Sequence, residues 1–217
     1  MKETERLHNN ANSKNNYDGR PQPELVIPSP SDFPDLAVML KAAFQEKNGC
    51  SSTDKAINNA LKAYQQYRDE YPQKLEHCRV IKQNGIVMAG CQLQVAGDPG
   101  DFSFPAYARH ELQPGEVYVE WIACHPDHTG KGLGSMLLRW ATDFATHTVG
   151  AKVLTLDVMK KNVGAVRLYE RKGFCIKQNK DAVDAFFEGL LVFCCLGCKY
   201  WTVLNMEKPL EVEPETK

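Results

Sequence analysis

The chemically suggestive residues of this chain gather between positions 117 and 174. Val117-Tyr118-Val119-Glu120-Trp121-Ile122-Ala123-Cys124 is an apolar run interrupted by one carboxylate. His125-Pro126-Asp127-His128-Thr129-Gly130-Lys131-Gly132-Leu133-Gly134-Ser135 follows it. Glycines accept backbone angles closed to other residues and let peptide N–H groups approach a ligand. At a helix start those N–H groups lack intrahelical partners and carry partial positive charge. Strand, glycine turn and helix start in that order make a cradle for an anion such as a diphosphate. The phosphate loop of nucleoside triphosphatases does not fit, because Gly132 rather than Ser or Thr follows Lys131. A dinucleotide fingerprint wants glycine where Ser135 stands and an acidic residue about 20 positions on, near Asp157, so spacing alone leaves it open. Glu120 is a general-base candidate, since burial in an apolar strand favours the protonated carboxyl and raises its pKa. A base working through a water, or a carboxylate paired within the fold, accounts for it equally well.

These residues need elements to hold them. Residues 117–124 have the pattern of a buried strand. A helix follows, with Leu133, Met136, Leu137, Trp140, Ala141 and Phe144 on one stripe. Lys152 to Val158 is a second strand, parallel to the first because a helix intervenes. Asn162 to Lys172 is a shorter helix stopped by Gly173, with Arg171 and Lys172 at its negative end. Upstream, Glu24 to Ile27 is a first strand, and Ser31 and Asp32 cap a helix carrying Leu36, Met39, Leu40, Ala43 and Phe44, ended by Asn48-Gly49. A second helix spans about Asp54 to Tyr67 with Ile57, Ala60, Leu61 and Tyr64 on its stripe, and Pro72 closes it. Cys78 to Lys82 and Ile86 to Val95 form a hairpin through Asn84-Gly85. Residues 96–115 carry three glycines and three prolines and form a long surface loop. Two late strands begin at Phe174 and Tyr200.

Two segments carry a resemblance. Thr129-Gly130-Lys131-Gly132-Leu133-Gly134 resembles the coenzyme loop of GNAT superfamily N-acetyltransferases, Arg/Gln-x-x-Gly-x-Gly/Ala. Asn162-Val163-Gly164-Ala165-Val166-Arg167-Leu168-Tyr169-Glu170-Arg171-Lys172-Gly173-Phe174 resembles that family's Asn-x-x-Ala-x-x-Leu-Tyr-x-x-x-Gly-Phe. The resemblance implies an α+β (mixed α/β) single domain: a central, mostly antiparallel mixed sheet with a splayed parallel strand pair, flanked by helices. It implies a bulged strand at 117–124 whose backbone at Ile122, Ala123 and Cys124 bonds the pantetheine arm of acetyl-CoA. It also implies a pyrophosphate held by Gly130, Lys131, Gly132, Leu133, Gly134 and Ser135, and coenzyme contacts at Asn162 and Ala165. Tyr169 is implied as the group that protonates the departing thiolate. Thr129 departs from the pattern, and Lys131 offers compensating charge. The reaction implied is direct attack of a primary amine on acetyl-CoA in a ternary complex, with no covalent enzyme intermediate.

Composition sets the outer limits. With 217 residues, 43% apolar and 24% charged, the chain suits one globular domain with its own core. A net charge of -1 gives no electrostatic case for nucleic acid. The expected organisation is a disordered arm over 1–21, a domain over 22–210 and a tail over 211–217. Residues 1–20 lack the apolar stretch of a signal peptide, so the expectation is a cytoplasmic protein whose eight cysteines are free thiols. No metal is called for. His125 and His128 are expected as loop residues, Cys124 as a small apolar side chain, and Ser135 as a helix-start residue. The expected acceptor is a small-molecule or peptide amine, met by the first two helices and the 96–115 loop, with Tyr64, Tyr67, Phe102, Phe104 and Tyr107 as candidate contacts. Two other readings stand beside this one: an acyl-CoA sensor without turnover, and an enzyme brought to a membrane by S-acylation of Cys194, Cys195 or Cys198 in the apolar segment 186–198. That segment otherwise completes the core or a dimer contact, leaving monomer or homodimer open.

Overall fold

The computed structural model describes residues 22–48, 53–99, 110–177 and 203–211. The arm expected over 1–21, residues 212–217 of the tail, Cys50, loop residues 100–109 with Phe102, Phe104 and Tyr107, and the Cys-rich segment 186–198 lie outside them.

The strands are β1 (Glu24–Val26), β2 (Cys78–Gln83), β3 (Ile86–Gln94), β4 (Glu116–Cys124), β5 (Val153–Met159), β6 (Cys175–Ile176) and β7 (Val203–Pro209). They form one seven-stranded sheet in the order β1-β2-β3-β4-β5-β7-β6. Neighbours are antiparallel except β4 and β5, which run parallel as the intervening helix requires. The helices are α1 (Phe33–Asn48), α2 (Thr53–Glu70), α3 (Pro72–Glu76), α4 (Leu133–Asp143) and α5 (Val163–Arg171). Among the described residues no helix is long and apolar enough to cross a membrane.

Local chemistry accounts for many boundaries. Asn84 and Gly85 have φ of 53° and 78°, the two positive angles that a tight hairpin turn between β2 and β3 demands. Asn162 caps α5 by accepting a hydrogen bond from the Ala165 N–H at 3.4 Å, and Gly173 ends that region at φ 87°. Two boundaries differ from the sequence expectation. The first helical region starts one residue before Ser31: Ser29 precedes a 3-10 turn, Pro30–Asp32, that runs into α1, and its N–H donates to the Asp32 carboxylate at 2.8 Å. Pro72 opens α3 instead of closing α2, because a proline at the first helical position forfeits no helical bond.

Two apolar cores sandwich the sheet. On one face Leu133, Leu137, Leu138 and Ala141 of α4 and Tyr169 of α5 pack on Leu93, Val117, Val119, Leu154 and Leu156. On the other, Phe33, Leu36 and Met39 of α1 and Tyr64 and Tyr67 of α2 pack on Val80, Val87 and Ala123. Tyr64 lies 5.3 Å from the Phe33 ring and meets Tyr67 edge-on at 5.7 Å. Both tyrosines are therefore core, because their i, i+3 spacing turns them toward the sheet. Cys78, Cys91, Cys124 and Cys175 are free thiols.

Candidate functional site

The site grows from an irregularity in β4. Trp121 pairs with Gln92 and Val119 with Leu93, so the register shifts at Glu120, one extra residue on the β4 side. Such a bulge re-aims side chains and increases local twist. Val117 and Val119 face the α4 and α5 core. After the bulge, Trp121 and Ala123 pack on the opposite core, while Ile122 and Cys124 pack against the first. Gly90 on β3 makes room for this: a Cβ there would sit 3.0 Å from the Trp121 ring.

Beyond the bulge the parallel pair parts. Pairing of β4 with β5 ends at Val119↔Leu156, although β4 continues to Cys124 and β5 to Met159, where it stays paired with β7. The opening is a cleft of about 140 Å³ lined by Ala43 and Phe44 of α1, residues 119–123 of β4, residues 156–159 of β5, and Asn162 and Tyr169. It unites five residues singled out from the sequence: Glu120, Ile122, Ala123, Asn162 and Tyr169.

The glycine turn lies past the end of β4 and outside that lining. Gly130 and Gly132 have φ of 77° and 79°, and a Cβ at either would meet open space, so conformation requires glycine there. Gly134 is needed for a different reason: its Cβ would come within 3.1 Å of Leu168, so its absence lets α4 pack closely on α5. The first backbone bond of α4 runs from the Met136 N–H to the Gly132 carbonyl at 3.1 Å. The N–H groups of Leu133, Gly134 and Ser135, in the first turn of α4, have no intrahelical carbonyl to bond. Thr129 turns its hydroxyl onto the Pro126 carbonyl at 3.0 Å, and the Lys131 ammonium lies 3.0 Å from His128 Nδ1. His125 caps the turn by accepting from the Asp127 N–H. The turn is an exposed nest of donors with a cation beside it.

Glu120 is paired. Its side chain is 2% exposed, and the Lys74 ammonium, from α3, donates to Oε1 at 2.6 Å. Lys74 is 0% exposed and also donates to the Pro99 carbonyl at 3.0 Å. An adjacent cation stabilises a carboxylate, opposing the effect of burial that the sequence suggests by itself.

Tyr169 is 6% exposed, with its ring 5.9 Å from Phe174. Burial pushes its phenol well above the ordinary range, and the neighbouring thiols of Cys91 and Cys124 add to the effect. It remains a protonated donor across the neutral range. Ala165 is half-buried and spends its N–H on the Asn162 cap. Ser135 is a residue of the first turn of α4.

Sequence reasoning missed Lys74, since nothing local marks a lysine in a five-residue helix as buried. It considered Asp157 only as a dinucleotide acid. Leu154, Leu156 and Val158 face the α4 core, so strand alternation sends Asp157 to the other side, where Tyr118 donates to its Oδ2 at 3.2 Å. Phe44, 40% exposed, and Met159 complete that wall.

Comparison with known proteins follows the same residues. The model of the acetyltransferase (GNAT) family matches residues 40–174. Streptothricin acetyltransferase from Streptomyces lavendulae is 37% identical over 78 residues, covering 36% of this chain and 41% of that protein. The S-(2-succino)cysteine N-acetyltransferase of Bacillus subtilis is 25% identical over 107 residues, covering 48% and 58%. The chain thus matches about half the length of these curated relatives. Among solved structures, the ribosomal-protein-S18-alanine N-acetyltransferase of Escherichia coli superposes with a TM-score of 0.57 at 18% identity, covering 90% of this chain and 99% of that one. The PaiA N-acetyltransferase of Thermoplasma acidophilum, in complex with coenzyme A, gives 0.57 at 13% identity, with 87% and 99% covered. At such identities the superpositions speak to the fold. With the family model spanning well over half of the chain, and both of its glycine-bearing segments inside the match, this protein belongs to the GNAT acetyltransferase family.

Proposed function

We propose that the protein is an N-acetyltransferase that moves the acetyl group of acetyl-CoA onto a primary amine by direct attack within a ternary complex. The observation that carries this reading is the parting of β4 from β5 beside Tyr169, in line with a helix start whose N–H groups are untaken. The residues present fit acetyl-CoA: positive-φ glycines leave open space above those donors, and the widened strand pair offers peptide edges to an extended arm.

Residues 130–135 and the Lys131 ammonium would hold the diphosphate, chiefly through main-chain donors, so Thr129 in place of Arg or Gln weakens the grip without abolishing it. Ile122, Ala123 and Cys124 would orient the arm, with Asn162 and Ala165 at the second crossing. Acetyl-CoA supplies an activated acetyl thioester, which exchanges its thiolate for the amine. The Tyr169 hydroxyl donates toward the site of that departure. Because its acidity is weakened by burial, its contribution is a hydrogen bond to developing negative charge at least as much as a completed transfer. Glu120, at the bulge, relays the proton lost by the ammonium, directly or through a water. On the acceptor side, Phe44, Trp121 and Met159 with the exposed Asp157 suit an ammonium group on an apolar body.

A continuous thiol-release assay with acetyl-CoA and a panel of primary amines tests the proposal. Turnover with intersecting initial-velocity lines is expected. Binding of acetyl-CoA with no turnover on any amine, or parallel lines that require an acetylated enzyme, would overturn it.

A further inference from the structure

Lys74 is the one lysine among the described residues whose side chain is fully buried. Its ammonium reaches the Glu120 carboxylate at 2.6 Å and the Pro99 carbonyl at 3.0 Å, and lies 5.7 Å from the centre of the Tyr67 ring. Its own backbone carbonyl is held by Gln92 Nε2 at 2.9 Å, and Gln92 is the β3 residue at which the β4 bulge begins. The Leu93 N–H, on the other side of the register shift, donates to His77 at 2.9 Å. Three structural units therefore meet at one cation: α3 held to the β3 ladder, the bulge of β4, and the entry to the 96–115 loop. Packing alone does not call for an ammonium here, since apolar residues of similar volume replace buried ion pairs at little or no cost.

We propose that Lys74 is a positioning residue for acetyl transfer, keeping Glu120 ionised and fixed at the bulge while anchoring the start of the acceptor-side loop through Pro99. The inference rests on the reading of Glu120 as the proton relay. A buried carboxyl without a cation in contact would take up a proton in the neutral range and stop accepting one from the substrate. The other titratable groups around Glu120 do not replace Lys74. Cys78 of β2 and Cys91 of β3 are pushed up by burial, Cys78 to about 12, so both stay neutral. Tyr67 of α2 and Tyr169 of α5 are phenols, and Asp157 of β5, along the same cleft, carries the wrong sign.

The test uses the full chain. Lys74→Met and Lys74→Arg are compared with wild type in kcat/KM for one amine between pH 6.5 and 9, as a ratio that cancels the titration of the amine itself. For Lys74→Met the ratio should climb about tenfold across the window, as the carboxyl regains its charge. Lys74→Arg, which keeps the charge, should hold the ratio flat. A flat ratio in Lys74→Met beside an impaired Glu120→Gln overturns the inference alone. Wild-type turnover in Glu120→Gln overturns the relay reading, and the inference with it. Should Lys74→Met fail to fold, carboxyl ¹³C NMR of the wild-type protein decides. The Glu120 resonance, identified as the one missing from the Glu120→Gln variant, should not titrate between pH 5.5 and 9. A midpoint inside that window overturns the proposal.

Discussion

Replacing Tyr169 by Phe removes one oxygen and leaves the packing in place. The ring is 6% exposed and sits 5.9 Å from Phe174, so the variant keeps its place in the core and should melt within about 2 °C of wild type. On the proposed mechanism, what it loses is a buried donor to developing negative charge. A hydrogen bond to a charged group contributes about 1.5–3 kcal/mol, or about 10- to 150-fold in rate. Full general-acid catalysis would reach about 10² to 10⁴. Because burial holds the phenol above its ordinary range, proton transfer to a thiolate is uphill in this environment, and the lower range applies. We expect kcat to fall about 100-fold, equivalent to about 2.7 kcal/mol, with KM for acetyl-CoA changed by less than about threefold. The raised phenol also fixes the pH behaviour. Its protonated form, the active one, persists through pH 6–9, so the ratio of variant to wild-type kcat should not vary across that window. Steady-state thiol release at saturating amine measures both. Turnover within threefold of wild type, in a variant shown to be folded, would refute the donor role.

Gly132→Glu forces an L-residue to φ 79°, costing about 1–2 kcal/mol, or about 3–6 °C in melting temperature, and puts a carboxylate over the cradle. Calorimetry should then detect no acetyl-CoA binding, and unchanged affinity would remove the pocket from 130–135. Asp157→Asn should raise KM for a cationic amine about five- to tenfold while leaving KM for acetyl-CoA unaltered, and equal amine KM values would take Asp157 out of acceptor binding. Glu116 begins β4 deep in the fold. Burial would raise its carboxyl, but hydrogen bonds from His110, Thr155 and the Gln113 N–H outweigh that and bring it from 4.5 to about 2. Its stabilising contribution is therefore complete above pH 4.5 and lost as pH falls through 2. Discounted for solvent around the partly exposed His110, it is about 2 kcal/mol. Urea unfolding at pH 6 and pH 3 should show wild type losing about 1 kcal/mol more than Glu116→Gln, and identical losses would count against this anchor.

Much of the site was legible in the chain because its chemistry is local. A glycine turn between a strand and a helix dictates untaken N–H groups wherever the rest of the molecule lies. Asn84-Gly85 dictates a hairpin, and Asn162 with Gly173 brackets a helix within a dozen residues. The helix between 124 and 153 forces the two flanking strands to be parallel, so even one feature of the sheet follows from spacing. Other features depend on partners far away in sequence. Tyr64 and Tyr67 suit a binding surface as well as a core until α2 is laid on the sheet. The bulge at Glu120 exists only against the register of β3, and with it the sending of Trp121 and Ala123 to one face and Ile122 to the other. Lys74 and Glu120 stand 46 positions apart. Whether a carboxylate in an apolar strand is protonated or ionised depends on the nearest opposite charge, and that distance is set only when the chain is packed.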